Sequence, residues 1–111
     1  RSECAAVNAV FGDGKSNVAV SSTKSVMGHL IAAAGAVEAA VCALAIHEGT
    51  MPPNANLQQL DPDCDVNIIR DAPLVKPIHM ALSNSLGFGG SNSCLAFRHP
   101  ELTNEIMAAG Y

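Results

Sequence analysis

The sequence contains no tryptophan, and aromatic residues make up only 4% of it. Apolar residues nevertheless reach 49% of the 111-residue chain, which is ample material for a hydrophobic core. Such a core must be built from Ala, Val, Leu and Ile, whose small side chains permit close packing of backbones. The length suits one small domain or a piece of a larger one.

Basic residues are also scarce. The six Lys and Arg residues occur singly, and the formal net charge is −4. No basic run and no alternation of basic with aromatic residues is present, so we expect no nucleic-acid partner. The acidic balance indicates solubility and little else.

Metal-ligand spacing is absent as well. The four cysteines form no CxxC pair and no Cys/His cluster, so we expect no zinc site, no other metal and no cofactor. A reduced cysteine in apolar surroundings behaves as a small hydrophobic residue. We therefore expect no disulfide framework, which fits a reducing compartment. These residues are Cys4, Cys42, Cys64 and Cys94.

The two ends of the chain carry little signal. The sequence begins at Arg1 without an initiator Met or a signal peptide, which predicts that it is cut from inside a longer protein. The segment from Glu101 to Tyr111 could form a short helix, but its role is not readable.

Apolar spacing predicts a helix from Glu3 to Phe11, which Gly12 and Gly14 would end. The β-prone run Val18–Ser22 predicts a short buried strand.

The longest regular element is a helix predicted from about Met27 to Glu48, rich in Ala and capped by Gly49. It is apolar on nearly all sides, which indicates a buried helix or a membrane span. A span would place Glu38 near the bilayer centre, at a cost of about 2.5–3.5 kcal/mol. We therefore predict a buried central helix and no membrane partner.

The sequence after the long helix predicts a loop followed by strands. Prolines and asparagines mark Gly49 to Asp63 as a loop, and Val66 to Ile69 is a weak strand candidate. Ile78–Ser83 and Ser93–Phe97, joined by the glycine-rich Leu86–Gly90, predict an antiparallel hairpin. The order of elements predicts a mixed α/β unit.

Lys24 and His29 lie where the β-prone run meets the apolar helix. Such a junction places polar side chains beside unpaired backbone N–H groups, which suits an anion, a thioester carbonyl or a developing oxyanion. The helix dipole should also favour a neutral His29, which can donate a hydrogen bond. The alternative is a solvated lysine and a structural histidine.

Glu38 is a carboxylate on the apolar helix, nine residues beyond His29. A buried carboxylate needs a partner, and Lys24 is the candidate because cations are few. Alternatively, Glu38 faces water on a narrow polar stripe.

The segment Asn84–Asn92 concentrates Gly87, Gly89 and Gly90 around Phe88. These glycines permit positive φ values and close approach of the backbone to a ligand, and their N–H groups could serve as oxyanion donors. The alternative is an ordinary turn with Phe88 in the core. GxGxxG is absent, so the segment is not a phosphate-binding loop.

Taken together, these segments resemble the C-terminal part of the β-ketoacyl-ACP synthases, over about Glu3 to Phe97. The resemblance is closest to the type II elongating synthases of fatty acid synthesis. The segments that carry it are Ser21-Ser22-Thr23-Lys24-Ser25-Val26-Met27-Gly28-His29-Leu30, Ala33-Ala34-Gly35-Ala36-Val37-Glu38, Pro52-Pro53-Asn54, Asn56-Leu57 and Asn84-Ser85-Leu86-Gly87-Phe88-Gly89-Gly90-Ser91-Asn92.

The resemblance implies a thiolase-like α/β fold, of which residues 1–111 would be most of the C-terminal repeat, with the N-terminal half absent. It implies a decarboxylative Claisen condensation: an acyl chain is carried on a cysteine, and the carbanion formed from malonyl-ACP attacks it. The implied partners are acyl carrier protein and, at full length, a second copy of the protein. The implied location is the cytoplasm or an organelle matrix.

By position, His29 resembles the histidine that hydrogen-bonds the malonyl thioester carbonyl, and Lys24 resembles the active-site lysine of the family. Glu38 resembles the buried acidic partner of that lysine. Phe88, flanked by the loop glycines, resembles the gating phenylalanine whose backbone N–H helps to form the oxyanion hole.

Two departures accompany the resemblance. Leu86 stands where elongating enzymes commonly carry Phe, which weakens any inference about acyl-chain length. The nucleophilic cysteine and the second catalytic histidine would lie upstream of Arg1, and no cysteine of this chain has the sequence context of the nucleophile. The chain alone is therefore expected to be inactive.

Two other functions compete with this interpretation. One is a non-catalytic subunit resembling a chain-length factor, which the retained Lys24 and His29 disfavour. The other is a freestanding module that binds an anion at the helix end, which the large apolar helix disfavours. Because that helix needs cover on all sides, we also expect the isolated chain to be unstable or to self-associate.

Overall fold

A computed structural model describes residues 2–12 and 18–101. These residues form two compact units. The first unit contains residues up to 28 together with 51–74, and the second contains residues 29–50 together with those from 75 onward. Most of the tail predicted as a short helix, after Glu101, lies outside the described residues, as do residues 13–17 between α1 and β1.

Three helices precede most of the strands in the described residues. In chain order they are α1 (Ser2–Phe11), β1 (Ala19–Val20), α2 (Lys24–Met27), a 3₁₀ turn (Ile31–Ala33), α3 (Ala34–Glu48), β2 (Thr50–Met51), β3 (Asn67–Ile68), β4 (Leu74–Val75), β5 (Met80–Leu86), a second 3₁₀ turn (Phe88–Gly90) and β6 (Asn92–Arg98).

The first unit joins α1 and α2 to a small parallel sheet. In this sheet β1 pairs with β3, Ala19 opposite Asn67 and Val20 opposite Ile68. Val66 and Ile69, on either side of β3, are buried. The predicted first helix and both strand candidates are thus confirmed as elements. Each strand is only two residues long, and β1, predicted to be buried, is half-buried.

A disulfide between Cys4 and Cys64 corrects the expectation that all four cysteines are reduced. It joins α1 to the loop before β3, across 60 residues of sequence, with the Cα atoms 5.6 Å apart. Nearby, the Asn8 amide Nδ2 donates a hydrogen bond to the Asp65 carbonyl oxygen at 2.8 Å. Cys42 and Cys94 are free thiols. Sequence spacing missed the pair because a bond over this separation depends on tertiary placement.

The long helix begins later than predicted. Met27 is the last residue of α2, and Gly28 then takes φ 73° and ψ −179°, which breaks the helix. The regular helix α3 begins only at Ala34, after the 3₁₀ turn. Its end is as predicted: Gly49 adopts the left-handed conformation at φ 60°, and its N–H bonds the Ala45 carbonyl.

The predicted burial of this helix on all sides is not found in the chain. Among its residues only Ile46 is buried, while Leu44 is 60% exposed. One face of α3 packs on the β5–β6 hairpin, and the described residues leave much of the remainder uncovered. By length and composition alone, Ile31–Glu48 could cross a membrane, a test that the core helix of a soluble protein also passes.

The predicted hairpin is confirmed. Strands β5 and β6 pair antiparallel from Met80 opposite Arg98 to Leu86 opposite Asn92, and residues 87–91 form the loop. Asn84 to Leu86 therefore belong to β5 rather than to the loop. A Cβ added to Gly35 of α3 would lie 3.6 Å from Ser85 Oγ, which shows how closely the helix approaches β5.

The expected mixed sheet is divided. Among the described residues the strands form three two-stranded sheets, β1–β3, β2–β4 and β5–β6. Each of β1 to β4 has only two residues, too few to propagate a wider ladder. The α/β class itself is as predicted.

Candidate active-site segments

Lys24 is the first residue of α2, and three residues separate it from the end of β1. Its carbonyl oxygen accepts a hydrogen bond from the Gly28 N–H at 2.9 Å, which closes the single turn of α2. The preceding residue, Thr23, makes no side-chain capping bond. The predicted junction between strand and helix is present, with a much shorter helix than expected.

The turn around Lys24 is tied to the asparagine-containing loop at residues 52–56. Ser25 Oγ donates to the Ser22 carbonyl oxygen and accepts from the Ala55 N–H, both at 3.0 Å. Asn54 Oδ1 accepts from the Ser22 N–H at 3.0 Å. The resemblance included this loop without a role for it, and the structure gives it one: it holds the residues on either side of Lys24.

His29 is exposed and lies in the connection between α2 and the 3₁₀ turn. Its Nδ1 accepts a hydrogen bond from the Ile31 N–H at 3.0 Å. A neutral imidazole has one donor and one acceptor nitrogen. Because Nδ1 is occupied as the acceptor, the proton of the neutral ring lies on Nε2, which can donate outward to a carbonyl oxygen.

Glu38 is half-buried on α3, one turn before Cys42. Burial, and next the Glu38 carboxylate, raise the pKa of the Cys42 thiol above its ordinary value. A raised pKa lowers the fraction of thiolate, which is the nucleophilic form of cysteine.

Phe88 is fully exposed at the tip of the hairpin loop. The loop is closed by a 2.7 Å hydrogen bond from the Gly87 N–H to the Ser91 carbonyl oxygen. Gly89 and Gly90 adopt positive φ values of 74° and 82°. Phe88 thus packs into no core formed by the described residues, and two of the three glycines use the conformational freedom expected of them.

The predicted site residues are divided between the two units. Lys24 lies in the first, with the 52–56 loop, and His29, Glu38 and Phe88 lie in the second. Their convergence on one substrate, and the ion pair between Lys24 and Glu38, remain predictions.

The second unit also contains a cavity away from these residues. A cavity of about 250 Å³ lies at the far end of α3 from Glu38, between Ile46, His47 and residues 97–100 of the β6 end. Among residues 2–12 and 18–101, no group of three His, Cys, Asp or Glu side chains is arranged to hold a metal ion.

A family model for the C-terminal domain of β-ketoacyl synthases matches residues 1–58. The chain belongs to the β-ketoacyl synthase family. The matched residues include Lys24, His29, Glu38 and the 52–56 loop. The family implies a thiolase-like α/β fold, in agreement with the resemblance seen in the sequence.

Individual members of the family match most of this chain. It is 42% identical over 98 residues to nodulation protein E of Rhizobium meliloti, covering 88% of the chain and 24% of the relative. It is 43% identical over 96 residues to 3-oxoacyl-[acyl-carrier-protein] synthase 2 of Synechocystis sp., covering 86% of the chain and 23% of the relative. The Staphylococcus aureus synthase of the same name is 41% identical over 96 residues, covering 86% of the chain and 24% of the relative. The chain spans about a quarter of the length of these relatives.

Proposed function

We propose that this chain is the C-terminal portion of a 3-oxoacyl-ACP synthase that condenses malonyl-ACP with an enzyme-bound acyl thioester in fatty acid biosynthesis. The names of the synthase relatives support this assignment. The observation that carries it is the hydrogen bond from the Ile31 N–H to His29 Nδ1, which leaves Nε2–H as a donor.

In the proposed reaction, His29 acts on the decarboxylation step. Loss of CO₂ from the malonyl thioester places negative charge on its carbonyl oxygen as the enolate forms. A donor aimed at this oxygen stabilises the transition state more than the substrate, which is the condition for catalysis. The fixed tautomer of His29 supplies that donor without a change in its protonation.

The other site residues take roles around this donor. Lys24 contributes positive charge to the site, and Glu38 balances it as a half-buried carboxylate. The enolate carbon then attacks the acyl thioester, whose carbonyl oxygen becomes an oxyanion near the backbone N–H of Phe88. The exposed Phe88 side chain, on a loop with two left-handed glycines, supports a gating role. The acyl-carrying cysteine would come from sequence before Arg1.

Acyl carrier protein is the proposed partner, because the synthase relatives carry it in their names. A homodimer and a cytoplasmic location, or an organelle matrix, complete the proposal. Within it, residues 1–111 form an incomplete synthase domain that is inactive alone.

The first experiment determines the sequence before Arg1 in the natural transcript. A cysteine at the nucleophile turn, with a second histidine ahead of this segment, supports the synthase. A glutamine or another residue without a nucleophile supports instead the non-catalytic relative that resembles a chain-length factor, and the condensing function is then withdrawn.

The second experiment tests His29 in the full-length enzyme. His29→Ala should lower malonyl-ACP decarboxylation about 10²–10³-fold, the usual loss when one oxyanion donor is removed. His47→Ala is the matched control, because His47 is also an exposed histidine but lies at the far end of α3. There its Nε2 is 3.7 Å from Glu48 Oε1. Equal rates for the two variants would contradict the assigned role.

A further inference from the structure

The Oγ atom of Ser25 connects two segments of the first unit. It donates to the Ser22 carbonyl oxygen and accepts from the Ala55 N–H, each at 3.0 Å, and Ser25 is half-buried. A hydroxyl has one donor and two acceptor lone pairs, so its donor and one acceptor are used. Ala55 lies 30 residues further along the chain, so this one atom fixes a tertiary contact rather than a local turn.

Asn54 connects the same turn to the small sheet. Its Oδ1 accepts from the Ser22 N–H at 3.0 Å, and its own backbone N–H donates to the Ile69 carbonyl oxygen at 2.9 Å. The Ile69 N–H in turn donates to the Val20 carbonyl oxygen at 3.0 Å. The loop is thereby held by the β1–β3 sheet, and it holds Ser22.

Asn56 adds a third bond. It adopts a positive φ of 64°, and its amide Nδ2 donates to the Ser25 carbonyl oxygen at 3.3 Å. Asn tolerates the left-handed region better than most residues. The loop therefore makes contact with Ser22 and Ser25, the residues two before and one after Lys24.

The α2 turn needs such support. It has four residues and no side-chain cap at Thr23. An isolated helix of this length is not stable in water, because fixing the backbone of the first turn costs more free energy than its hydrogen bond supplies. The position of the Lys24 backbone thus depends on bonds from the 52–56 loop.

We propose that Ser25 and Asn54 are positioning residues for Lys24 in the condensation reaction. They hold the backbone from which the Lys24 side chain reaches the reacting thioester, without contacting the substrate themselves. The inference rests on the proposed function for the role of Lys24. It adds that the 52–56 loop sets the position of that lysine.

The test is a double-mutant cycle in the full-length enzyme, with malonyl-ACP decarboxylation as the assay. Asn54→Ala should lower kcat about 10- to 100-fold with little change in KM, because a misplaced catalytic group loses orientation rather than substrate binding. In a Lys24→Ala background the same Asn54→Ala change should cost less than about twofold, since the group it positions is gone. A purely structural role would cost the same factor in both backgrounds.

Two further variants keep the test decisive. Asn54→Asp retains an oxygen that can accept from the Ser22 N–H and should restore most of the activity lost in Asn54→Ala. Ser25→Ala removes only one hydroxyl and should lower kcat in the same way as Asn54→Ala. It therefore provides the test if Asn54→Ala does not fold. Gln59→Ala, at an exposed residue just beyond the loop, is the control and should be silent.

The outcomes separate the two proposals. If Lys24→Ala retains full activity, the proposed role of Lys24 fails, and the positioning role fails with it. If Lys24→Ala loses activity while Asn54→Ala and Ser25→Ala retain it, the positioning role alone is overturned. The same conclusion follows if Asn54→Ala lowers kcat by the same factor with Lys24 present and with Lys24→Ala.

Discussion

The carboxylate of Glu38 lies one helical turn before the thiol of Cys42 on α3. Residues four apart on a helix are neighbours on its surface. Burial, and after it the negative charge of Glu38, raise the pKa of this thiol. Glu38 therefore acts on the charge of a neighbouring group within the chain, apart from any role in a reaction.

We predict that Cys42 reacts more slowly with iodoacetamide than Cys94, which is exposed. The thiolate is the reactive form, and a raised pKa lowers its fraction at pH 8. Glu38→Gln removes the negative charge, lowers the Cys42 pKa and should speed its alkylation a few-fold. Peptide mass spectrometry without reductant follows both sites. Glu48→Gln, at an exposed residue of the same helix, is the control, and an equal effect of the two changes would contradict the assignment to Glu38.

We predict that the Cys4–Cys64 disulfide stabilises the chain. A crosslink that closes 60 residues should contribute about 4 kcal/mol by restricting the unfolded chain. Cys64→Ser should therefore lower the thermal midpoint markedly, whereas Cys94→Ser should change it little. Thiol titration of the denatured, unreduced chain should give two free thiols. Four free thiols would refute the bond.

Gly35, in the first turn of α3, and Gly49, which caps the end of this helix, predict opposite responses to alanine. Gly49 adopts φ 60°, and an added Cβ would lie 3.3 Å from the Lys76 carbonyl oxygen. Gly49→Ala should therefore cost more than about 1 kcal/mol of the free energy of unfolding. Gly35 has no positive φ, and its Cβ would meet only an ordinary contact. Gly35→Ala should be neutral or stabilising, because a helix favours alanine over glycine by up to about 1 kcal/mol, and by less in the first turn, where Gly35 lies. Urea unfolding measures both, and equal losses would contradict the geometry.

Phe88 predicts a separation of activity from stability. Its side chain is fully exposed, so Phe88→Ala should change the free energy of unfolding by less than about 0.5 kcal/mol. In the full-length enzyme it should lower condensation if the loop gates the acyl site. Phe97→Ala, at a half-buried residue of β6, is the counterpart and should destabilise the protein. A large loss of stability in Phe88→Ala would show that this side chain is needed for folding.

Local patterns predicted the elements whose signals are local. The apolar spacing of α1, the glycine that ends α3 and the glycine-rich loop of the hairpin were all readable in the sequence. The start of α3 is not readable in the same way. The run from Met27 predicts a continuous helix, whereas Gly28 adopts a φ of 73° that separates α2 from α3. The burial predicted for α3 remains a prediction for the whole protein, because the described residues cover only one face of the helix and the chain spans about a quarter of the length of its relatives.

Contacts between distant segments were beyond the reach of sequence patterns. Neither the Cys4–Cys64 bond nor the bond from the Ala55 N–H to Ser25 has a periodicity that could reveal it. The site residues themselves were identified by resemblance, which supplies identities but not the hydrogen bonds that hold them. The acceptor role of His29 Nδ1 is one such bond, visible only in the structure.

The bonds from residues 54–56 to the Lys24 turn restrict how this protein can change in evolution. An added or deleted residue between Pro52 and Asn56 would shift the partners of Ser22 and Ser25 out of register at once. Residues 58–59 lie beyond this loop and are exposed, so we expect a length change there to leave the lysine turn undisturbed. We therefore expect the 52–56 loop to keep a fixed length among functional relatives, with variation in length beginning only after Leu57.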